Sequence, residues 1–298
     1  MSGQLKEVRE RIKSVINTQQ ITKAMKMVSA AKLRKAQTAI QQARPYANKL
    51  TAMLRNVMRY VDNSDQLVFN RPTEGMRPAV IIITSNRGLC GAYNSNIVKE
   101  AIHHIDSKYA EAVRNKTIRI IPVGKKAVDV LKRHYDPTLL DRSFMELGEK
   151  IEMDQVYDFA TFLMDEFRNG NFDIIDVSYG RFRNAAMQIP ETVQYLPVPP
   201  PKPLKEKKQN IVPNYTFEPD EESLLAELVP AILKVQLHRF LLDNAASEHG
   251  ARMTAMDKAS ENADELLKEL RINYNKARQA AITTELSEIV AGAAALGG

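Results

Sequence analysis

The chain has 298 residues, 44% of them hydrophobic, with no Trp and a single cysteine, Cys90. That is enough chain for one large or two ordinary domains; it excludes an intrachain disulfide, and no run approaches the ~20 consecutive apolar residues of a membrane-spanning helix. The formal net charge of +6 is carried unevenly: residues 1–44 hold ten basic and two acidic side chains, so this stretch calls for an acidic partner, whether protein, nucleic acid or lipid headgroup.

Residues 3–61 read as a very long amphipathic helix. Leu5, Val8, Ile12 and Val15 recur at spacings of three and four, and the pattern resumes at Ala36, Ile40, Ala43, Ala47, Leu50, Leu54, Val57 and Val61. Between Gln19 and Ser29 the apolar period slips. Pro45 removes a backbone donor and crowds the preceding turn, so a kink is expected near Arg44. The charged helix lacks the apolar segment of a signal peptide, and none is expected. Residues 62–78 are rich in turn formers and read as a connector.

An α/β head is expected over 79–200. The β-branched run at 79–84 suits a buried strand. A glycine-bearing loop follows, then a helix from Asn94 to about Ala112. A second strand at 117–123, a helix from Gly124 to about His134, a helix at 154–168 and strands at 172–179 and 191–198 complete the head. Alternating strands and helices predict a mostly parallel sheet covered on both faces. The last two strands lack an intervening helix and are expected to form an antiparallel hairpin. Residues 201–221, entered through a proline-rich run, read as a linker.

Residues 222–298 read as a second long helix. Met256, Ala259, Ala263, Leu266, Leu270, Asn273, Ala277 and Ala280 mark a heptad seam, and Pro230 lies inside the helix. Long helices at both ends of one chain predict an antiparallel coiled coil of the termini, with a Rossmann-like head between them. At about 1.5 Å per residue, ~70 helical residues span roughly 100 Å, so much of this rod is expected to project from the head.

Catalytic signals are weak. Gly88, Cys90 and Gly91 follow the first strand where a phosphate cradle would sit, but neither the P-loop nor the dinucleotide spacing is present. A tight turn using glycine's positive φ, with Cys90 packed beneath it, is the better reading. The five histidines, at 103, 104, 134, 238 and 249, lack ligand spacing, and no metal or cofactor is expected. Glu248, Asp257, Glu261 and Asp264 read as a solvated face rather than acid–base pairs. Two alternatives stay open on these grounds: a nucleic-acid-binding coiled coil using the basic first helix, although that helix has no interleaved aromatics, and a small nucleotide-binding enzyme with helical arms.

Particular residues carry more. The run Ile21-Thr-Lys-Ala-Met-Lys-Met-Val-Ser-Ala-Ala-Lys-Leu-Arg-Lys-Ala, the loop Ser85-Asn-Arg-Gly-Leu-Cys-Gly, and the stretches beginning at Ala245 and Tyr274 resemble the gamma-subunit family of the F-type ATP synthases, in the same order and over the whole chain. The resemblance implies a non-catalytic rotary shaft. Its expected partners are the ring of alpha and beta subunits, the epsilon subunit and the membrane c-ring, with no nucleic acid and no direct membrane span. It implies that Met25 and Lys26 meet an acidic loop of the beta subunit, and that Arg252, Arg278, Gln279 and Thr283 bond to the surrounding ring. Tyr215, Phe217 and Glu218 would face the rotor ring. Ile289, Val290 and Leu296 would form the tip in its bearing. The paired-cysteine insert of plastid members is missing, and Ala92 stands where many members carry glycine. With no transit peptide in view, a bacterial protein on the cytoplasmic face of the inner membrane is expected.

Overall fold

The structure is a computed structural model and describes residues 2–57, 69, 77–148, 151–198 and 221–296. Two helices dominate it: α1 (Ser2–Val57) and α6 (Glu221–Leu296). Each runs as one continuous element through its internal proline, Pro45 or Pro230. Between them, in chain order, lie β1 (Pro78–Ile83), α2 (Tyr93–Lys108), α3 (Ala110–Arg114), β2 (Arg119–Val123), α4 (Lys125–Leu131), α5 (Met153–Arg168), β3 (Ile174–Phe182) and β4 (Gln188–Leu196). Short 3-10 turns at Pro137–Leu139 and Met145–Gly148 were not legible from periodicity.

The chain divides into two compact units, Met1–Ala30 with Arg252–Gly298, and Ala31–Ala251. The units cut each long helix in two, whereas the sequence boundaries at 61 and 222 keep each helix whole.

In the larger unit the four strands stand in the order β2-β1-β3-β4. β1 pairs in parallel with both β2 and β3, and β3 pairs antiparallel with β4, the expected hairpin. All six residues of β1 are buried, because the strand is central and covered on both faces. Successive side chains point to opposite faces. Ala79, Ile81 and Ile83 join a core with Phe159, Leu163 and Phe167 of α5 and with the 225–241 stretch of α6. Val80 and Ile82 join the other core with Ile97, Ala101 and Ile105 of α2.

Two of the differences from expectation have identifiable reasons. The single helix expected from 94 to 112 is two, α2 and α3, because the backbone leaves helical values at Tyr109 (φ −124°) and its phenol is drawn to Asp176, 2.7 Å away. β3 continues to Phe182 because its ladder with β4 extends to Phe182↔Gln188. The expected end of the first helix at residue 61 lies outside the described residues.

Candidate functional site

The smaller unit is an antiparallel helix pair. Arg9 meets Tyr274, Gln19 meets Asp264, Thr22 meets Ser260 and Lys26 meets Asp257, so position falls along α6 as it rises along α1. The apolar slip between Gln19 and Ser29 is not a slip in structure. Gln19, Thr22 and Ser29 are buried and Lys26 is partly buried, so inward positions 15, 19, 22, 26 and 29 keep the three–four spacing unbroken, and 33, 36, 40, 43, 47 and 50 continue it. Helix geometry fixes which positions face inward, whatever side chains occupy them. Reading apolar residues alone hides four of them.

The α6 seam also needs correction. Met256, Ser260, Ala263, Leu267 and Leu270 are buried, and Tyr274, Ala277, Ala281 and Thr284 continue as partly buried positions. The expected Met256, Ala263, Leu270 and Ala277 are in register. The expected Ala259, Leu266, Asn273 and Ala280 each fall one residue short. Ala259 is more apolar than Ser260 and attracts the assignment. Ser260 is nevertheless the buried one, because 260 is the inward position between 256 and 263, and its hydroxyl is accommodated there by donating to the Met256 carbonyl (2.9 Å) beside Thr22 Oγ1, 2.7 Å away. Thr22 Oγ1 is also 2.9 Å from the Gln19 carbonyl; with the Ser260 proton on the Met256 carbonyl, the single Thr22 proton is shared between Ser260 Oγ and that carbonyl. A buried hydroxyl is tolerated when bonded in this way.

Asp257 and Asp264 lie on the solvated face, Asp264 exposed and Asp257 with its side chain 45% exposed, and from there they also reach across to α1. Lys26 Nζ sits 2.5 Å from Asp257 Oδ1, and Gln19 Nε2 donates to Asp264 Oδ1. At the far end of the pair, Arg9 donates to the Tyr274 hydroxyl at 2.9 Å and holds that phenol below its ordinary range.

The outward positions implied by the resemblance are distributed unevenly. Met25 and Lys26 are half-buried; the exposed apolar side chains nearby are Ile21, Met27 and Val28. Arg278, Gln279 and Thr283 are exposed, with Thr283 Oγ1 donating to the Gln279 carbonyl at 2.9 Å. Arg252 is buried, at 7% exposure, and so stands apart from those three. Ile289 and Val290 are about two-thirds exposed (67% and 66%). Together with Ile282 and Leu286 they stripe one side of α6 at helical spacing. Leu296 is the last residue of α6, and Tyr215, Phe217 and Glu218 lie outside the described residues.

In the head turn, Cys90 is buried and Asn94 Nδ2 lies 3.1 Å from its Sγ. Asn94 Oδ1 accepts from the Ser85 backbone N–H at 3.0 Å, tying the start of α2 to the end of β1. Only one of the two glycines needs its freedom: Gly91 has φ 60°, while the other left-handed residue is the exposed Leu89 (φ 62°), not Gly88.

Two polar clusters of the larger unit escaped the sequence reading. Asp176 of β3 is buried, and its Oδ2 receives His104 (2.6 Å), Tyr109 (2.7 Å) and Lys108 (3.1 Å). Burial opposes ionisation, yet these donors hold the carboxyl below its usual range. His104 thus has a carboxylate partner that spacing along the chain does not reveal. The second cluster lies where the carboxyl ends of β1 and β3 part. Tyr93 of α2 donates its hydroxyl to Asn244 of α6, at 2.7 Å to Oδ1 and 3.0 Å to the carbonyl, and the Gly180 N–H approaches the same Oδ1 at 3.4 Å. That is the topological switch point, where open α/β sheets place ligands; here α6 fills it. Among the described residues no three His, Cys, Asp or Glu side chains gather as a metal site, and no helix is long and apolar enough to cross a membrane.

The family profile described as "ATP synthase" matches residues 4–296. The chain is 47% identical over 294 residues to the ATP synthase gamma chain of Flavobacterium psychrophilum, covering 99% of each. It is 44% identical over 292 residues to that of Cytophaga hutchinsonii, covering 98% of each. Among solved structures it resembles a chain of the Euglena gracilis mitochondrial ATP synthase in rotational state 3, at TM-score 0.62 and 22% identity, covering 99% of this chain and 95% of that one. A chain of the Tetrahymena thermophila central stalk and c-ring structure gives TM-score 0.56 at 22% identity, with 80% and 99% coverage. At that identity the structures speak for the fold.

Proposed function

The chain belongs to the ATP synthase gamma-chain family, and from that premise we propose how it works as the central rotary shaft of an F-type complex. It is a non-catalytic subunit. Its paired helices enter a ring of alpha and beta subunits, and its head stands on the membrane c-ring beside an epsilon subunit. The complex sits at the cytoplasmic face of a bacterial inner membrane. Ion flow turns the ring and the shaft together. The shaft biases each beta subunit only by touching its open and closed states with different free energies.

The observation that supports this reading most directly is the helix pair, with an unbroken seam inward and an asymmetric exterior. Ile21, Met27 and Val28 leave an apolar strip on α1, while Arg278, Gln279 and Thr283 present polar groups on α6. Exposed apolar strips of this kind mark partner surfaces. Met25 and Lys26 are assigned to the beta-subunit contact, Arg278, Gln279 and Thr283 to hydrogen bonds with the ring, and Ile289, Val290 and Leu296 to the bearing. Tyr215, Phe217 and Glu218 are assigned to the rotor ring on the resemblance alone.

The nucleic-acid reading gains no support. Lys26 and Arg9 of the basic helix are already engaged by Asp257 and Tyr274. The nucleotide-enzyme reading places a ligand at the switch point, where Tyr93 and Asn244 stand. The test is reconstitution: the chain is mixed with alpha and beta subunits of a close relative, a probe is attached to its head, and ATP is added. Stepwise rotation is expected. ATP hydrolysis by the chain without beta subunits, or specific binding of DNA, would sink the proposal.

A further inference from the structure

α6 does not simply lie on one face of the sheet. Leu237, Phe240 and Leu241 belong to the core on the α5 side, and Ala251 to the core on the α2 side. Between them the helix crosses the carboxyl end of the sheet, and Asn244 stands at the crossing. Its Oδ1 is shared by the Tyr93 hydroxyl and the Gly180 N–H, one from each side of the switch point. Asn244 and Tyr93 are buried, at 4% and 5% exposure. Gly180 is required there: a Cβ would lie 2.7 Å from the Tyr93 ring.

We propose that the Tyr93–Asn244–Gly180 junction is the coupling residue set through which the head drives α6, a positioning role rather than a catalytic one. The proposal rests on the rotary-shaft reading and deepens it. Phe240 against Tyr179 (ring centroids 4.7 Å apart) holds α6 on the hairpin, within the core on the α5 side alone. A hydrogen bond has preferred distance and angle, and in a buried setting it is stronger than in water. Tyr195 also bonds α6, through the Leu233 carbonyl at 2.9 Å, but it engages β4 alone. Asn244 is bonded by α2 and β3 together, so twist about the helix axis is resisted from two directions. Leu241, Asn244 and Ala251 lie on one helix that continues to Leu296.

The test uses the assembled complex in membranes whose own gamma chain has been deleted. Three variants are compared with the parent: Tyr93→Phe, which keeps the ring and loses the donor; Asn244→Leu, which keeps the volume and loses the side-chain acceptor shared with Gly180 while the backbone carbonyl stays; and Asn244→Asp, which keeps the side-chain acceptor. ATP hydrolysis and ATP-driven ion pumping are measured on the same membranes. Tyr93→Phe and Asn244→Leu are expected to hydrolyse ATP within about twofold of the parent while pumping per ATP falls at least threefold, with Asn244→Asp close to the parent. A purely structural role would lower assembly and both activities together, leaving their ratio unchanged; that result overturns the proposal. Should Asn244→Leu fail to assemble, the ratio for Tyr93→Phe decides. Should the parent itself restore no pumping, the shaft reading fails and this proposal with it.

Discussion

Lys26 Nζ on α1 lies 2.5 Å from Asp257 Oδ1 on α6, and both side chains remain a little under half exposed (42% and 45%). The residue that the family resemblance assigns to a beta-subunit contact is thus also a rung of the shaft's own seam. One lysine can serve both, since an ammonium carries three donors.

That double role can be separated by charge exchange. Lys26→Glu sets two carboxylates side by side, but for a pair this exposed the cost is modest, about 1 kcal/mol or less. Lys26→Glu combined with Asp257→Lys restores attraction across the seam and leaves the reversed charge toward the beta subunit. The single variant is expected to melt slightly earlier and to pump less per ATP. The double variant should recover the melting temperature and not the pumping. Recovery of both means that Lys26 acts only within the shaft.

Thr22 and Ser260 form a buried hydroxyl pair 2.7 Å apart. Thr22→Val alone leaves Ser260 facing a methyl group and should cost about 1–3 kcal/mol, whereas Thr22→Val with Ser260→Ala should cost less than the sum of the single changes. Urea denaturation of the four chains measures this coupling. Strict additivity would show that the hydroxyls do not act as a pair.

Asp176 gives a pH signature. Its carboxyl is held below the usual range in the folded chain, so its contribution is fully present above the ordinary aspartate pKa of about 3.9 and is lost as pH falls through the lower folded value. Asp176→Asn should therefore lie well below the parent in stability near pH 7, and the gap should close progressively below about pH 4. Denaturation midpoints across that range test it; a gap that is constant with pH would assign the loss to packing.

Ile289 and Val290 have little within the chain to lose by substitution. Ile289→Ser with Val290→Ser should change the chain's own stability by no more than about 0.5 kcal/mol. Retention of the shaft in the alpha–beta ring should nevertheless weaken, measured by gel filtration of reconstituted complexes. A large loss of intrinsic stability would mean that the tip folds back on its own chain.

By itself the sequence determined the architecture. Heptad spacing at both ends forced two long helices, and β-branched runs separated by helical stretches forced a mostly parallel sheet with an antiparallel hairpin. The motifs around Met25, Cys90 and Arg252 pointed to the family. Only the tertiary structure decided which polar residues are interior. Gln19, Thr22 and Ser29 broke an apolar pattern that burial does not break, and Ala259 exceeds Ser260 in hydropathy although 260 is the inward position, where Thr22 supplies the serine with a hydroxyl partner. The same holds for Asp176 and Asn244: each is buried by donors that lie 67–72 and 64–151 residues away in the chain. Hydrophobic periodicity is local and carries no information about such partners. A buried polar group is stable only through its bonded partner, and that partner is chosen by the fold.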